Sequence, residues 1–169
     1  MKTLIVIDMQ KDFVNGTLGT NEAVAIVENV RNKIQEYYKN GDQIIFTRDT
    51  HFENYLDTNE GKNLPVVHCI KDSDGWQIFE GLEVPGAIYI DKPSFGYTEW
   101  NKFDLGNEIE LIGLCTDICV VSNALIIKAN FPESEVSVDA SCCAGVTPET
   151  HKAALETMKM CQIKIKTDI

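Results

Sequence analysis

Apolar residues along this chain alternate between two spacings. Short unbroken runs recur near residues 3–7, 43–47, 87–90 and 108–112, with weaker ones at 136–138 and 163–165. Continuous Val/Ile/Leu runs of this length predict strands buried on both faces. Between them lie stretches with helical spacing. Ala23, Ile26, Val27, Val30, Ile34 and Tyr37 repeat at three and four, after a cap at Thr20 or Asn21 and before the stop signal Asn40-Gly41. A second helix is expected from Thr116 to about Asn130. A third opens with Thr147-Pro148-Glu149 and shows Ala153, Ala154, Leu155 and Met158 on one face. Residues 10–19 read as a loop that exposes Phe13. Residues 50–74 form a polar stretch too long for a mere connector. The prediction is an α/β fold: one domain spanning residues 1–169, built on a mostly parallel six-stranded sheet with helices on both faces.

In such sheets chemistry gathers beyond the carboxyl ends of the strands. Asp8, Asp49, Lys92 and Cys119 follow the first four strands and fall at that edge. Cys119 belongs to Gly113-Leu114-Cys115-Thr116-Asp117-Ile118-Cys119-Val120, a strand end running into a helix start. Thr116 is expected to cap that helix by accepting the Cys119 amide, and the helix dipole gives the thiol a reason to ionise. An acid, a cation and a sulfur nucleophile converging on one crevice suit nucleophilic catalysis, with backbone amides near Cys119 available to an oxyanion. Each residue also has a plainer reading: Asp8 as a turn aspartate, Lys92 on the surface, Cys119 packed under a helix.

Composition narrows the field. The 169 residues are 44% hydrophobic, enough for a full core. A formal charge of −11 argues against nucleic acid or anionic membrane as a partner. The apolar run after Met1-Lys2 is broken by Asp8 and does not read as a signal peptide, and no run reaches membrane-spanning length. The six cysteines are then expected to be reduced thiols in the cytoplasm. Cys115 and Cys119 are one residue too far apart for a redox CxxC, and no zinc-ribbon spacing occurs.

Ile7-Asp8-Met9-Gln10-Lys11-Asp12-Phe13, Lys92 after the third strand, and the segment from Gly113 to Val120 together resemble the isochorismatase-like cysteine hydrolases, in their nicotinamidase/pyrazinamidase branch. The resemblance spans nearly the whole chain. It implies a triad of Asp8, Lys92 and Cys119, a cis peptide between Leu114 and Cys115, and an oxyanion hole formed by the amides of Cys115 and Cys119. Asp117 is expected to be structural.

Asp49, His51 and His68 offer a carboxylate and two imidazoles, a donor set for Zn²⁺, Mn²⁺ or Fe²⁺. A polar loop with two unrelated histidines gives the same spacing. Leu64-Pro65-Val66-Val67-His68-Cys69 is similar to the proline–histidine–cysteine segment of nicotinamidases. That likeness implies one divalent metal ion, zinc first, with Glu60 as fourth ligand by position and Asp57 as a weaker candidate. Leu64 stands where those enzymes carry a tryptophan against the substrate ring, an extra residue separates Pro65 from His68, and Asp72-Ser73-Asp74-Gly75-Trp76 replaces a glycine-richer turn. Phe13, Tyr97 and Trp100 are candidate aromatic walls; Phe13, Leu64 and Tyr97 are taken as the substrate contacts.

The resemblance implies hydrolysis of nicotinamide to nicotinate and ammonia through a thioester, and it suggests a homo-oligomer, which no surface stripe in the sequence marks. Two alternatives stay open: another amidase or ureide hydrolase of the superfamily, and a noncatalytic binder or thiol redox sensor using Cys119 with Cys115, Cys142 or Cys143. Isochorismate cleavage leaves Asp49, His51 and His68 without a role.

Overall fold

A computed structural model describes residues 1–167. The first apolar run forms β1 (Lys2–Ile7), which lies inside the sheet with β2 (Gln43–Asp49) on one side and β4 (Glu108–Leu114) on the other. β3 (Ile88–Lys92) extends the sheet beyond β2, and β5 (Glu135–Ala144) with β6 (Lys164–Lys166) extends it beyond β4. Every pairing is parallel. The central strands are buried on both faces, as their unbroken apolar runs require.

Among the described residues five α-helices accompany the sheet: α1 (Lys11–Val14), α2 (Asn21–Asn40), α3 (Asn59–Asn63), α4 (Val121–Asn130) and α5 (Pro148–Met160). α2 buries the six positions its spacing predicts against a face containing Leu4, Val6, Ile44, Phe46 and Ile112. On the opposite face Ala124 and Ile127 of α4 and Leu155 and Met158 of α5 meet Ile5, Ile7, Leu111 and Val138. Thr20 caps α2 by accepting the Ala23 amide at 3.0 Å, and Gly41 ends it at φ +72°. Thr147 caps α5, with Pro148 in its first turn. Among the described residues no helix is long and apolar enough to cross a membrane.

Several boundaries differ from the sequence reading. Residues 10–19 are not all loop, because Lys11–Val14 close one helical turn. β5 is far longer than 136–138. Its polar continuation stays in the sheet because Asp139 receives the Lys33 ammonium at 2.9 Å and the Ser141 hydroxyl at 2.7 Å. The expected Thr116 cap is absent. Thr116–Val120 form a π-helical turn before α4, and the Thr116 hydroxyl instead pairs with His151 Nδ1 at 2.7 Å. The 50–74 stretch is held by a bridge between His51 and Ile70 and contains α3, which brings His68 back beside His51.

Gly113 is required where β1 and β4 approach. It sits at φ +117°, and a β-carbon there would lie 2.1 Å from the Ile7 carbonyl oxygen. Gly113→Ala is expected to destabilise the fold by about 2 kcal/mol or more, measured by urea denaturation.

Candidate active site

Asp8, Lys92 and Cys119 come from three segments and meet at the carboxyl edge of the sheet. β1 ends at Ile7 and delivers Asp8 at φ +47°, a left-handed conformation uncommon outside glycine. β3 ends on Lys92, and the π-helical turn after β4 carries Cys119. Asp8 and Lys92 are fully buried and Cys119 nearly so. The Lys92 ammonium lies 2.7 Å from Asp8 Oδ2, 3.4 Å from Cys119 Sγ and 3.1 Å from the Ser94 carbonyl oxygen it donates to. Thr47 donates its hydroxyl to Asp8 Oδ1 at 2.6 Å. The plainer readings of Asp8 and Lys92 are excluded by this burial: such charges stay inside only when paired.

The electrostatics correct one expectation. Burial pushes the Cys119 thiol well above its ordinary value, the Asp8 carboxylate adds to this, and the Lys92 ammonium opposes it. That direction favours the thiol over the thiolate, against the ionisation that helix position suggests. Burial also raises the Asp8 carboxyl, against the pull of Lys92. Burial alone would lower the Lys92 ammonium, but Asp8, Cys119 and Asp49 reverse that and hold it above its ordinary value. A carboxylate whose proton affinity is raised by burial, set beside a thiol, suits a general base.

A second cluster adjoins the first. Asp49, His51, Glu60 and His68 each offer a ligand atom, and these atoms lie within 4.8 Å of one another. Asp49 Oδ2 is 2.9 Å from His51 Nε2 and 3.4 Å from His68 Nε2, and His51 Nε2 is 3.6 Å from Glu60 Oε1. His68 Nδ1 donates to the Val66 carbonyl at 2.7 Å, which leaves Nε2 free to act as a lone-pair donor. Asp49 Oδ1 is buried without a hydrogen-bond donor, its nearest cation being Lys92 at 3.8 Å. Burial raises Asp49, but His51, His68 and Lys92 outweigh it and leave the carboxyl below its ordinary range. Burial and Asp49 raise Glu60. Two carboxylates and two imidazoles crowded this closely, with one buried oxygen left over, fit a divalent cation. Glu60 is the fourth member; Asp57 is exposed and outside the group.

Between the clusters opens a cavity of about 240 Å³. Phe13, Leu18, Leu64, Phe95, Ile118 and Val146 give it apolar walls, and Cys115, Cys119, Asp49, Glu60 and His68 also face it. Phe13 and Leu64, the expected substrate contacts, both line this cavity. Tyr97 does not: its ring packs edge-on against Trp100 at 5.2 Å, and Phe95 takes the wall position. Trp100 is fully buried, so it is a packing anchor instead of a wall. The Leu114–Cys115 peptide is cis. Asp117 accepts the Val146 amide at 3.1 Å, in keeping with a structural role.

The sequence profile of the isochorismatase domain matches residues 2–168. The chain belongs to the isochorismatase family. Its fold overlays the zinc-bound pyrazinamidase of Pyrococcus horikoshii with a TM-score of 0.83 at 28% identity, covering 97% of each chain. The pyrazinamidase/nicotinamidase of Streptococcus mutans gives a TM-score of 0.82 at 29% identity, covering 98% of this chain and 99% of that one. A nicotinamidase/pyrazinamidase of Mycobacterium tuberculosis is 23% identical over 188 residues, 98% of each chain.

This isochorismatase-family site includes supports the sequence did not disclose. Gln10, fully buried, accepts the Asp49 amide at 2.8 Å and donates to the carbonyls of Asp49 and Trp76 at 2.9 Å. Tyr55 donates to the Leu64 carbonyl at 2.8 Å while its ring packs on His51 and His68. Gln10 and Thr47 each stand within two residues of a strand-end aspartate, the one sequence signal available for them. For the metal-free protein, alkylation of Cys119 against pH is expected to rise with a midpoint above that of a free cysteine, about 8.5. Asp8→Asn removes a raising charge, so its midpoint is expected to move down. A wild-type midpoint below 8 contradicts this.

Proposed function

We propose that this protein is a cysteine-dependent amide hydrolase that converts nicotinamide to nicotinate and ammonia. The observation that carries the reading is the Lys92 ammonium set between Asp8 Oδ2 and Cys119 Sγ, at 2.7 and 3.4 Å, beside an apolar cavity sized for a small ring. The likeness to solved pyrazinamidases supports the choice of substrate.

In this mechanism Asp8 takes the Cys119 proton and the thiolate attacks the carboxamide carbon. The amides of Cys115 and Cys119 receive the developing oxyanion. Asp8 returns its proton to the departing ammonia, leaving a thioester on Cys119. Asp8 then deprotonates a water that attacks the thioester carbonyl; the C–S bond breaks, nicotinate is released, and Asp8 hands its proton back to the sulfur to restore the thiol. Lys92 stays charged throughout and keeps the carboxylate and the sulfur in register. Phe13, Phe95 and Leu64 hold the ring and exclude bulk water. Asp49, His51, Glu60 and His68 would hold a divalent ion, zinc first, and the chemistry it supplies when bound is a Lewis-acid anchor for a ring nitrogen.

Leu64 in the wall, where the resemblance calls for tryptophan, favours a second reading: the same triad acting on a different small carboxamide or ureide. A panel of such amides, assayed for ammonia with and without a chelator, separates the two. Nicotinamide is expected to lead the panel, with activity falling on chelation and returning with Zn²⁺ or Mn²⁺. Indifference to chelation together with a non-cyclic best substrate selects the second reading. Cys119→Ala is expected to lower ammonia release by more than about 10³-fold, and full activity in that variant refutes both.

A further inference from the structure

Asn123 is the anomaly of α4. It is fully buried in the first turn of α4, directly after the π-helical turn, among Val120, Val121, Ala124, Leu125, Ile126 and Ile127, with Ser122 the one other polar residue of that stretch. An amide in such a place is costly unless every valence is filled, and asparagine is a poor helix interior residue. All four are filled. Asn123 Nδ2 donates to the Cys119 carbonyl at 2.8 Å and to the Phe95 carbonyl at 3.0 Å. Its Oδ1 accepts the Tyr97 amide at 2.8 Å and the Trp100 indole N–H at 3.0 Å. Three of the four bonds reach the 95–100 loop, and the fourth reaches the nucleophile's own backbone. The same loop is held at its start by Lys92, through the Ser94 carbonyl. Gly96 lies against α4, where a β-carbon would come within 2.5 Å of the Ile126 Cδ1 tip. Phe95 is 44% exposed and owes its place at the cavity mouth to this backbone anchorage more than to packing.

We infer that Asn123 is a positioning residue that fixes the Phe95 wall relative to Cys119 and thereby sets how substrate is held at the nucleophile. The inference rests on the hydrolase reading for its substrate, though not for its geometry. Helix composition needs no asparagine here, and the four bonds join the two halves of one cavity.

The test is a double-mutant cycle of Asn123 with Phe95. Asn123→Ser keeps a hydroxyl able to reach the Cys119 carbonyl, as Ser122 reaches that of Ile118, and loses the loop bonds. Asn123→Asp keeps the acceptor for Tyr97 and Trp100 and loses both donations. Modification of Cys119 is followed by peptide mass spectrometry as the ratio of a bulky maleimide rate to the iodoacetamide rate, so that changes in thiol ionisation cancel. Each Asn123 variant is expected to raise this ratio several-fold in the wild-type background and to leave it unchanged when Phe95 is already Ala. On nicotinamide, KM is expected to rise about tenfold with a smaller change in kcat. Additive effects overturn the inference, as does a lowered melting temperature with an unchanged ratio, or failure of both variants to fold. A coupled ratio in a protein that hydrolyses no carboxamide refutes the hydrolase reading alone.

Discussion

A lysine ammonium with no access to water is the constraint around which this molecule is arranged. Lys92 is fully buried and within 4 Å of the Asp8 and Asp49 carboxylates and the Cys119 sulfur. Removing an ammonium and a carboxylate from water costs several kcal/mol for each ion, and their attraction offsets this only when geometry is tight and remaining valences are filled. The surroundings meet that demand. Thr47 fills the second oxygen of Asp8, the Ser94 carbonyl takes a Lys92 proton, and Gly113 lets β1 and β4 close up so that Asp8 and the Cys119 turn can meet.

Lys92 also joins the two clusters. Its 3.8 Å approach to Asp49 makes that carboxylate a neighbour of both the triad and the imidazoles of His51 and His68. Substitutions on either side are therefore coupled through Asp49 and should not be read as independent. The Cys119 thiol and the side chains of Asp49, Glu60 and His68 face one cavity, so a molecule that fills it meets the sulfur and three of the four candidate metal donors together.

Much of this was legible in the sequence because it depends on position along strands. Unbroken apolar runs place β1, β2 and β4, and the residue after a buried run must lie at the sheet's carboxyl edge; Asp8 and Cys119 follow from that rule, and Lys92 needs only a strand two residues longer. Thr20, Gly41 and Thr147 mark helix ends through local chemistry, and the structure keeps all three. What stayed hidden depends on partners far along the chain. β5 continues through Asp139 because Lys33 of α2 supplies a charge, and no local pattern records that. Thr116 looks like a cap from its spacing to Cys119, yet His151 competes for its hydroxyl and the backbone winds into a π-helical turn. Tyr97 and Phe95 stand two apart in one loop whose backbone is tied to Asn123, and it is Phe95 that lines the cavity. The same long-range logic governs the sulfur: helix position favours an ionised thiol, while burial beside Asp8 pushes its pKa up.

The most direct test of this account reads the charge of Lys92 itself. Nitrogen-15 NMR of the side-chain Nζ, assigned by Lys92→Arg, is expected to show an ammonium resonance from pH 5 through about 10, beyond which an ordinary lysine loses its proton. The ammonium should persist there because Asp8, Asp49 and Cys119 hold it. An Nζ that titrates to the neutral amine below pH 8 would contradict the account, since a neutral amine could not hold a buried carboxylate and a sulfur nucleophile together.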